Sequence, residues 1–326
     1  MSDTKQEKPI LSVIVTVYNH APYIERCLRG ILAQKCDFPF EVWIGEDCSP
    51  DNTREVMKAI ESEFPENFHF IYREKNLNAG NNADLIERSR GSKYLAICEG
   101  DDFWTYEGKL QEQVAFLEAH PDYSACFHHC TVVGADSEPN GEKYPDCPEE
   151  QYSFKEYFYC TMPGQTGTFM VRLEDYLKQK ERFLALRQFD SYPEDRRNGF
   201  ILLVAGKVHV FQGSWSAYRH VVKEGAANYS SNFKADERYA ANEVGFFKTL
   251  LDYALRYGSD EAIECARACY YRVLLKWSVG KVKVAGLGES LRAVVAEKHW
   301  PSYLVGVPRW YAVLGSRMLR GRGVNL

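Results

Sequence analysis

The chain has 326 residues, 45% of them hydrophobic and 26% charged, an ordinary globular composition with room for one large α/β domain and an appendage. A net charge of −5 argues against a nucleic-acid binder, and no run approaches the roughly 20 apolar residues that a membrane-spanning helix needs. The ten cysteines follow no disulfide-framework spacing, and Met1 to Lys8 is polar with no apolar signal segment behind it, so a cytosolic protein is expected.

Ile10 to Val17 is an apolar, β-branched run, hence a buried strand closed by Thr16-Val17-Tyr18-Asn19-His20. Pro22 opens a helix with Ile24, Cys27, Leu28, Ile31 and Leu32 at helical spacing. Phe40 to Gly45 reads as a second strand running into the polar turn Glu46 to Thr53. A helix from Asp51 through Phe64, a strand over Phe68 to Tyr72, a helix over Asn81 to Arg90 and a strand over Lys93 to Cys98 complete the first hundred residues. This alternation predicts right-handed βαβ units and a mostly parallel sheet. The polar clusters at the strand ends, Thr16–Asn19, Glu46–Ser49 and Glu99–Asp102, should then fall on one edge, where open α/β sheets bind ligands.

The last of these clusters carries the chemistry. The run Leu95-Ala96-Ile97-Cys98 stops at Glu99-Gly100-Asp101-Asp102, followed directly by Phe103 and Trp104. Three carboxylates within four residues repel one another unless a cation sits among them, and Mn²⁺ or Mg²⁺ on a substrate diphosphate is the simplest such cation. A GxGxxG fingerprint and a GxxxxGK[ST] loop are both absent, so phosphate neutralisation falls to that cation.

Farther on, Lys109 to His120 reads as a helix, Tyr123 to Val133 as a strand and Gly134 to Glu150 as a long surface loop. Cys126, His128 and Cys130 would share one strand face, but no second ligand pair lies nearby. Thr166 to Arg172 reads as a strand, Leu173 to Leu186 as a helix, and Lys207 to Tyr218 as a strand pair around Gly213. A second acidic cluster, Asp190 to Arg197, opens a helix running through Ala205, where capping alone could explain Glu194 and Asp195. From about Asn232 two long helical patterns, roughly 235–257 and 260–279, follow without an intervening strand, which suggests a catalytic domain over 1–231 and a helical extension over 232–326. The tail from Val279 holds eight basic and two acidic residues among Trp300, Tyr303, Trp310 and Tyr311, the pattern of a helix lying on an anionic membrane. A helix with a solvated basic face would look the same.

With these residues in place, the first 220 resemble a family 2 glycosyltransferase of the GT-A fold. Ser12-Val13-Ile14-Val15-Thr16-Val17-Tyr18-Asn19 resembles that family's first strand and turn. Glu46-Asp47-Cys48-Ser49-Pro50-Asp51-Asn52-Thr53 resembles its DDGSTDGT stretch, with Cys and Asn where glycines are usual. Glu99-Gly100-Asp101-Asp102 resembles its DxDD metal motif with Glu in first place, and Glu194-Asp195 its ED catalytic pair.

The resemblance implies a nucleotide site at Thr16, Tyr18, Asn19, Asp47, Asn82, Glu99 and Gly100. It implies metal contact at Asp101, with Asp102 supporting it and His220 approaching the diphosphate, and a catalytic base at Asp195 beside Glu194. Trp104 and Trp215 could offer flat faces to a sugar or acceptor. The implied activity is inverting transfer from a nucleoside diphosphate sugar, by default a UDP-sugar, to a glycan or lipid-linked acceptor in bacterial surface polysaccharide synthesis, with the basic tail on the inner membrane. Two other readings remain: a sugar nucleotidyltransferase, which would want a glycine-rich basic loop where Tyr18-Asn19-His20-Ala21-Pro22 stands, and a non-catalytic glycan- or partner-binding protein, for which Glu99 and Cys48 speak.

Overall fold

The computed structural model describes residues 9–145, 147–159, 162–221 and 236–279, with isolated positions 288, 292, 295 and 312 beyond them. The basic aromatic tail therefore lies outside the described residues. Among the described residues, no helix is long and apolar enough to cross a membrane.

Strand β1 (Leu11–Val17) is the centre of the parallel half of the sheet. It pairs with β2 (Phe40–Glu46) on one side and β4 (Tyr94–Glu99) on the other, and β2 pairs with β3 (Phe68–Tyr72). The run of β-branched residues explains the choice: Val13, Ile14 and Val15 are fully buried, and neither face of a sheet covered on both sides needs a polar stripe. The register sets Thr16 against Gly45 and Glu99, so the three strands end together.

The other half of the sheet is mixed. β5 (Phe103–Trp104), β6 (Tyr123–Val133), β7 (Gln151–Tyr152), β8 (Met170–Arg172) and β9 (Lys207–Arg219) complete the order β3-β2-β1-β4-β8-β6-β9-β5, with β7 on β9. Where a strand pair around Gly213 was expected, β9 is one strand parallel to β6. Gln212 and Gly213 are accommodated as extra residues between the pairs His128↔Phe211 and His129↔Ser214, so the glycine marks a bulge rather than a turn. Residues 166–168 form a 3-10 turn ahead of β8 rather than the start of a strand. Thr168 donates to the Gln165 carbonyl at 2.6 Å, and the Gln165 side chain accepts from the Gly167 amide at 2.6 Å, which removes these groups from the ladder.

Helices cover both faces. α1 (Ile24–Leu32), α2 (Thr53–Ile60) and α4 (Lys109–Ala119) pack on one. α3 (Ala79–Arg88), α5 (Phe154–Phe158), α6 (Leu173–Leu184) and α7 (Glu194–Ala205) pack on the other, where α8 (Glu237–Tyr257) and α9 (Asp260–Val279) join the same core. Each fully buried Leu, Ile, Val or Phe contributes roughly 1.5–3 kcal/mol of transfer free energy. Every described cysteine is a free thiol, and Cys126, His128 and Cys130 form no metal cluster.

One buried charge stands out. Lys109, with no exposed surface, donates to Gln113 Oε1 at 2.7 Å and lies 4.2 Å from the Trp104 ring centroid. Burial pushes its ammonium down from 10.5 to about 7. Between those values the unfolded chain holds a proton that the folded chain has released, so this group makes stability rise with pH, by up to ~1.4 kcal/mol per pH unit. Urea melts of wild type and Lys109→Met across that window check this: the variant should lack that part of the rise.

Candidate active site

The ends of β1 and β2 are tied to each other. The Asn19 amide donates to Ser49 Oγ at 3.0 Å and the His20 amide to Thr53 Oγ1 at 2.9 Å. Just ahead of α2, Asp51 accepts from the Thr53 amide at 3.1 Å in a local turn. Cys48 adopts a left-handed φ of 58°, which explains why glycine is the ordinary residue at this point of the motif. Glu46 is fully buried and paired with Arg54 at 2.5 Å, so it serves the loop rather than a ligand. Asp47 accepts from the backbone amides of Leu77 (2.7 Å) and Asn78 (2.9 Å), fixing the loop that leads into α3.

These loops enclose a cleft of about 300 Å³ at the ends of β1, β2 and β4. Thr16, Tyr18, Asp47, Asn82 and Glu99 of the expected nucleotide set line it, with His20, Asn76, Asn78, Asn81, Ile97 and Thr166. Asn19 and Gly100 are not in its wall. Asn19, at a φ of 61°, shapes the turn. Gly100 donates its amide to the Thr16 carbonyl at 2.9 Å, and a Cβ there would meet His20 Nδ1 at 2.7 Å, so glycine is what lets the imidazole lie against the acid loop. His20 Nδ1, Asn19 Oδ1 and Asn82 Oδ1 are buried without a hydrogen-bond partner.

The three acids of the loop differ in setting. Asp101 is the open one: a third of its side chain is exposed, and Oδ1 lies 3.6 Å from Nε2 of His20. Burial lowers the His20 pKa despite the Asp101 charge, which favours the neutral imidazole. Asp102 is buried with both oxygens engaged, Oδ1 by the Arg219 amide at 2.7 Å and Oδ2 by Gln165 Nε2 at 2.5 Å. It buttresses the loop. Gln165 Nε2 also reaches Glu99 at 3.3 Å. Burial, then the charges of Asp101 and Asp195, push the Glu99 carboxyl up to about 8, and burial with Asp101 raises that of Asp102 well above its ordinary value.

Asp195 stands at the start of α7 and accepts from Thr166 Oγ1 at 3.5 Å, within reach of the Glu99 charge. Burial, then the neighbouring Glu194, raises its pKa. Glu194 is different. Burial works against its charge, but Arg197, bonded at 3.1 Å, outweighs it and lowers the pKa. The structure thus separates the pair into one titratable acid at the site and one ion-paired acid beside it.

Three expected contacts are placed elsewhere. The Trp104 indole is buried against Lys109 and donates to the Gly167 carbonyl at 2.8 Å, so it anchors the acid loop and presents no face to a sugar. Trp215 is packed among Phe211 (4.7 Å), Tyr106 (5.1 Å) and His128 (5.2 Å). His220 is held by Glu142 Oε2 at 2.5 Å, drawn toward the 134–150 loop. Several functional positions were not foreseen. His20 was legible only as part of a polar turn, and Gln165 and Thr166 carried no signal, being uncharged residues ahead of an apolar run. Arg219 donates through Nε to the Asp101 carbonyl at 2.8 Å and sits 3.9 Å from the Tyr23 ring centroid.

A strand-end cleft of this form with an acid loop is the arrangement of a nucleotide-dependent transferase. The chain belongs to glycosyl transferase family 2, whose model matches residues 12–179. It is 38% identical over 136 residues to an uncharacterized protein of Mycobacterium tuberculosis, covering 41% of this chain and 39% of that one. It is 36% identical over 113 residues to the putative teichuronic acid biosynthesis glycosyltransferase TuaG of Bacillus subtilis, covering 34% of this chain and 42% of the relative. The matches thus span about two-fifths of the length of these curated relatives. The fold is that of Staphylococcus aureus TarS 1–349, solved with UDP-GlcNAc, at a TM-score of 0.58 and 18% identity over 85% of this chain and 77% of that one.

Gln165 joins the acid loop to the 3-10 turn. Gln165→Leu should cost about 1–3 kcal/mol by leaving buried Asp102 and half-buried Glu99 without their shared donor, read as a lower urea midpoint by circular dichroism. An unchanged midpoint would show that Arg219 alone holds the loop.

Proposed function

We propose that this chain is an inverting, metal-dependent glycosyltransferase that moves a sugar from a nucleoside diphosphate sugar to a hydroxyl of a glycan or lipid-linked acceptor. The observation that carries this reading is that two carboxylates from separate elements contact residues of one cleft wall: Asp101 lies 3.6 Å from His20, Asp195 accepts from Thr166, and His20 and Thr166 both line the cleft. The likeness in fold to a protein solved with UDP-GlcNAc supports UDP as the nucleotide, and TuaG supports surface polysaccharide as the product. The basic tail would dock the enzyme on the cytoplasmic face of the inner membrane.

The donor set fits a hard divalent cation. Among the described residues no three ligating side chains converge, but Mg²⁺ and Mn²⁺ in such sites take one or two carboxylates and complete their shell from phosphates and water. Asp101, with the neutral imidazole of His20 behind it, would hold the ion. When bound, Mn²⁺ or Mg²⁺ supplies positive charge to the departing diphosphate. Thr16, Tyr18, Asp47 and Asn82 form the wall against which the nucleoside would lie.

Asp195 is the base. As the acceptor oxygen bonds to the anomeric carbon, its proton passes to the Asp195 carboxylate, and the bond to the diphosphate oxygen breaks with its electron pair on the diphosphate. Its raised pKa makes it a stronger acceptor of that proton than an exposed aspartate. A single base with no covalent nucleophile gives inversion at the anomeric carbon.

The test is turnover across a panel of nucleotide sugars with Mn²⁺, with Mg²⁺ and with chelator. One nucleoside diphosphate should be released, and only with metal. Asp101→Ala should abolish that release, and Asp195→Asn should lower it by at least ~100-fold while donor affinity stays within about threefold. Unchanged turnover in Asp101→Ala would overturn the metal assignment, and failure to bind any donor would favour a binding protein on this fold.

A further inference from the structure

A second cleft, of about 350 Å³, lies on the other side of the 164–166 segment. Its wall includes Thr131 of β6, Ser214 of β9, Glu142, Lys143 and Tyr144 of the 134–150 loop, and Gly164. The partition between the two clefts is one stretch of backbone. Gly164 faces this cleft, Thr166 faces the nucleotide cleft, and Gln165 between them binds Asp102 and Glu99. Asp102 and Glu99 are thus bonded to the residue next to Gly164.

Tyr144 lies near both the second cleft and the acids. It lines the second cleft, and its ring meets that of Tyr218 edge-on at 5.5 Å. The charges of Asp195 and Glu99 both act on its hydroxyl, and those of Asp102, Glu99 and Asp195 act on that of Tyr218. The wall carries one exposed cation, Lys143, among hydroxyl and aromatic groups, so the ligand it suits is rich in hydroxyls. Thr131 and Ser214 are exposed hydroxyl residues on adjacent strands. The acid in the wall is already paired, Glu142 with His220 at 2.5 Å, and His129 is engaged by the Cys147 carbonyl at 2.9 Å. An aromatic ring and Pro139 supply the apolar side that a pyranose face packs on.

We propose that this second cleft is the acceptor site, that it takes the terminal pyranose of the acceptor, and that Tyr144 marks the opening through which the acceptor hydroxyl reaches Asp195. The proposal rests on the transferase reading above, and it goes further in assigning a binding surface of this chain to the second substrate. It also gives the 134–150 loop a function: the loop forms the outer wall of a pocket whose inner wall is the β6–β9 pair.

The test uses the full chain saturated with UDP and Mn²⁺ and, as probes, p-nitrophenyl glycosides of glucose, galactose, mannose and N-acetylglucosamine. Binding is read by saturation-transfer NMR and titration calorimetry. Thr131→Trp and Ser214→Trp fill the cleft from two exposed positions, so neither should disturb folding. At least one glycoside should bind wild type and lose at least about tenfold in affinity in both variants, with UDP affinity held within about twofold. Equal glycoside binding in wild type and variants, or none to wild type while UDP still binds, would overturn the acceptor assignment and leave the transferase reading standing. Loss of UDP binding in wild type would remove both.

Discussion

Negative charge crowded at the end of one buried strand is the constraint to which the rest of this site answers. Glu99 ends β4, Asp101 and Asp102 follow it, and α7 brings Asp195 to the same place from the far half of the chain. Coulomb repulsion among partly buried carboxylates amounts to several kcal/mol at ordinary protein dielectric. A fold can relieve it by importing a lysine or arginine, by leaving the acids protonated or by keeping room for a dissociable cation. Among the described residues, no side-chain ammonium or guanidinium bonds Glu99 or Asp102. They are held by a neutral amide, Gln165 Nε2, and by the backbone N–H of Arg219.

The treatment of Arg219 shows how consistently the charge is left open. Its guanidinium stands beside the loop, yet its hydrogen bonds go to groups other than the carboxylates. Nε goes to the Asp101 carbonyl, the two amino groups to the Gly134 carbonyl and Ser137 Oγ, and the plane lies over Tyr23. Neutral donors keep the acids in place without cancelling them. The protein tolerates the cost by letting Glu99 keep its proton to about pH 8.

The parallel half of this architecture was legible because the signals there are local. Val13-Ile14-Val15 and Leu95-Ala96-Ile97-Cys98 are β-branched or apolar runs of strand length, and Pro22 and Pro65 punctuate the helices between them. Strand order then brought the three polar ends together without any further information. What could not be read is what depends on contacts between distant segments. Gln165 matters because β8 pairs antiparallel with β4 and sets it over the acid loop. Trp104 looked available to a sugar because nothing in its neighbourhood announces that Lys109 and Gly167 enclose it. Gly213 looked like a turn because a bulge and a turn both call for glycine, and only the pairing with β6 tells them apart.

The helical pair α8–α9 matters to the same site through the segment that leads into α7. Asn242 Oδ1 on α8 accepts from the amides of Asp190 (2.7 Å) and Ser191 (3.3 Å), and Glu243 accepts from the Tyr192 hydroxyl at 3.2 Å. Glu243 is fixed in turn by Trp277 and Lys276 of α9 at 2.7 and 3.0 Å. The Tyr192 ring stacks on Phe246 at 4.3 Å, three residues ahead of Asp195. Asp195 is thus set in the frame of α8 and α9, whereas Asp101 is set in the frame of β1 and β4. Each helix in that frame belongs to the core that also holds Ile14, Leu95 and Ile97, so the two carboxylates are referred to one rigid interior despite the long stretch of chain between them. A reaction that needs a leaving group and a proton acceptor at fixed separation requires that kind of shared reference.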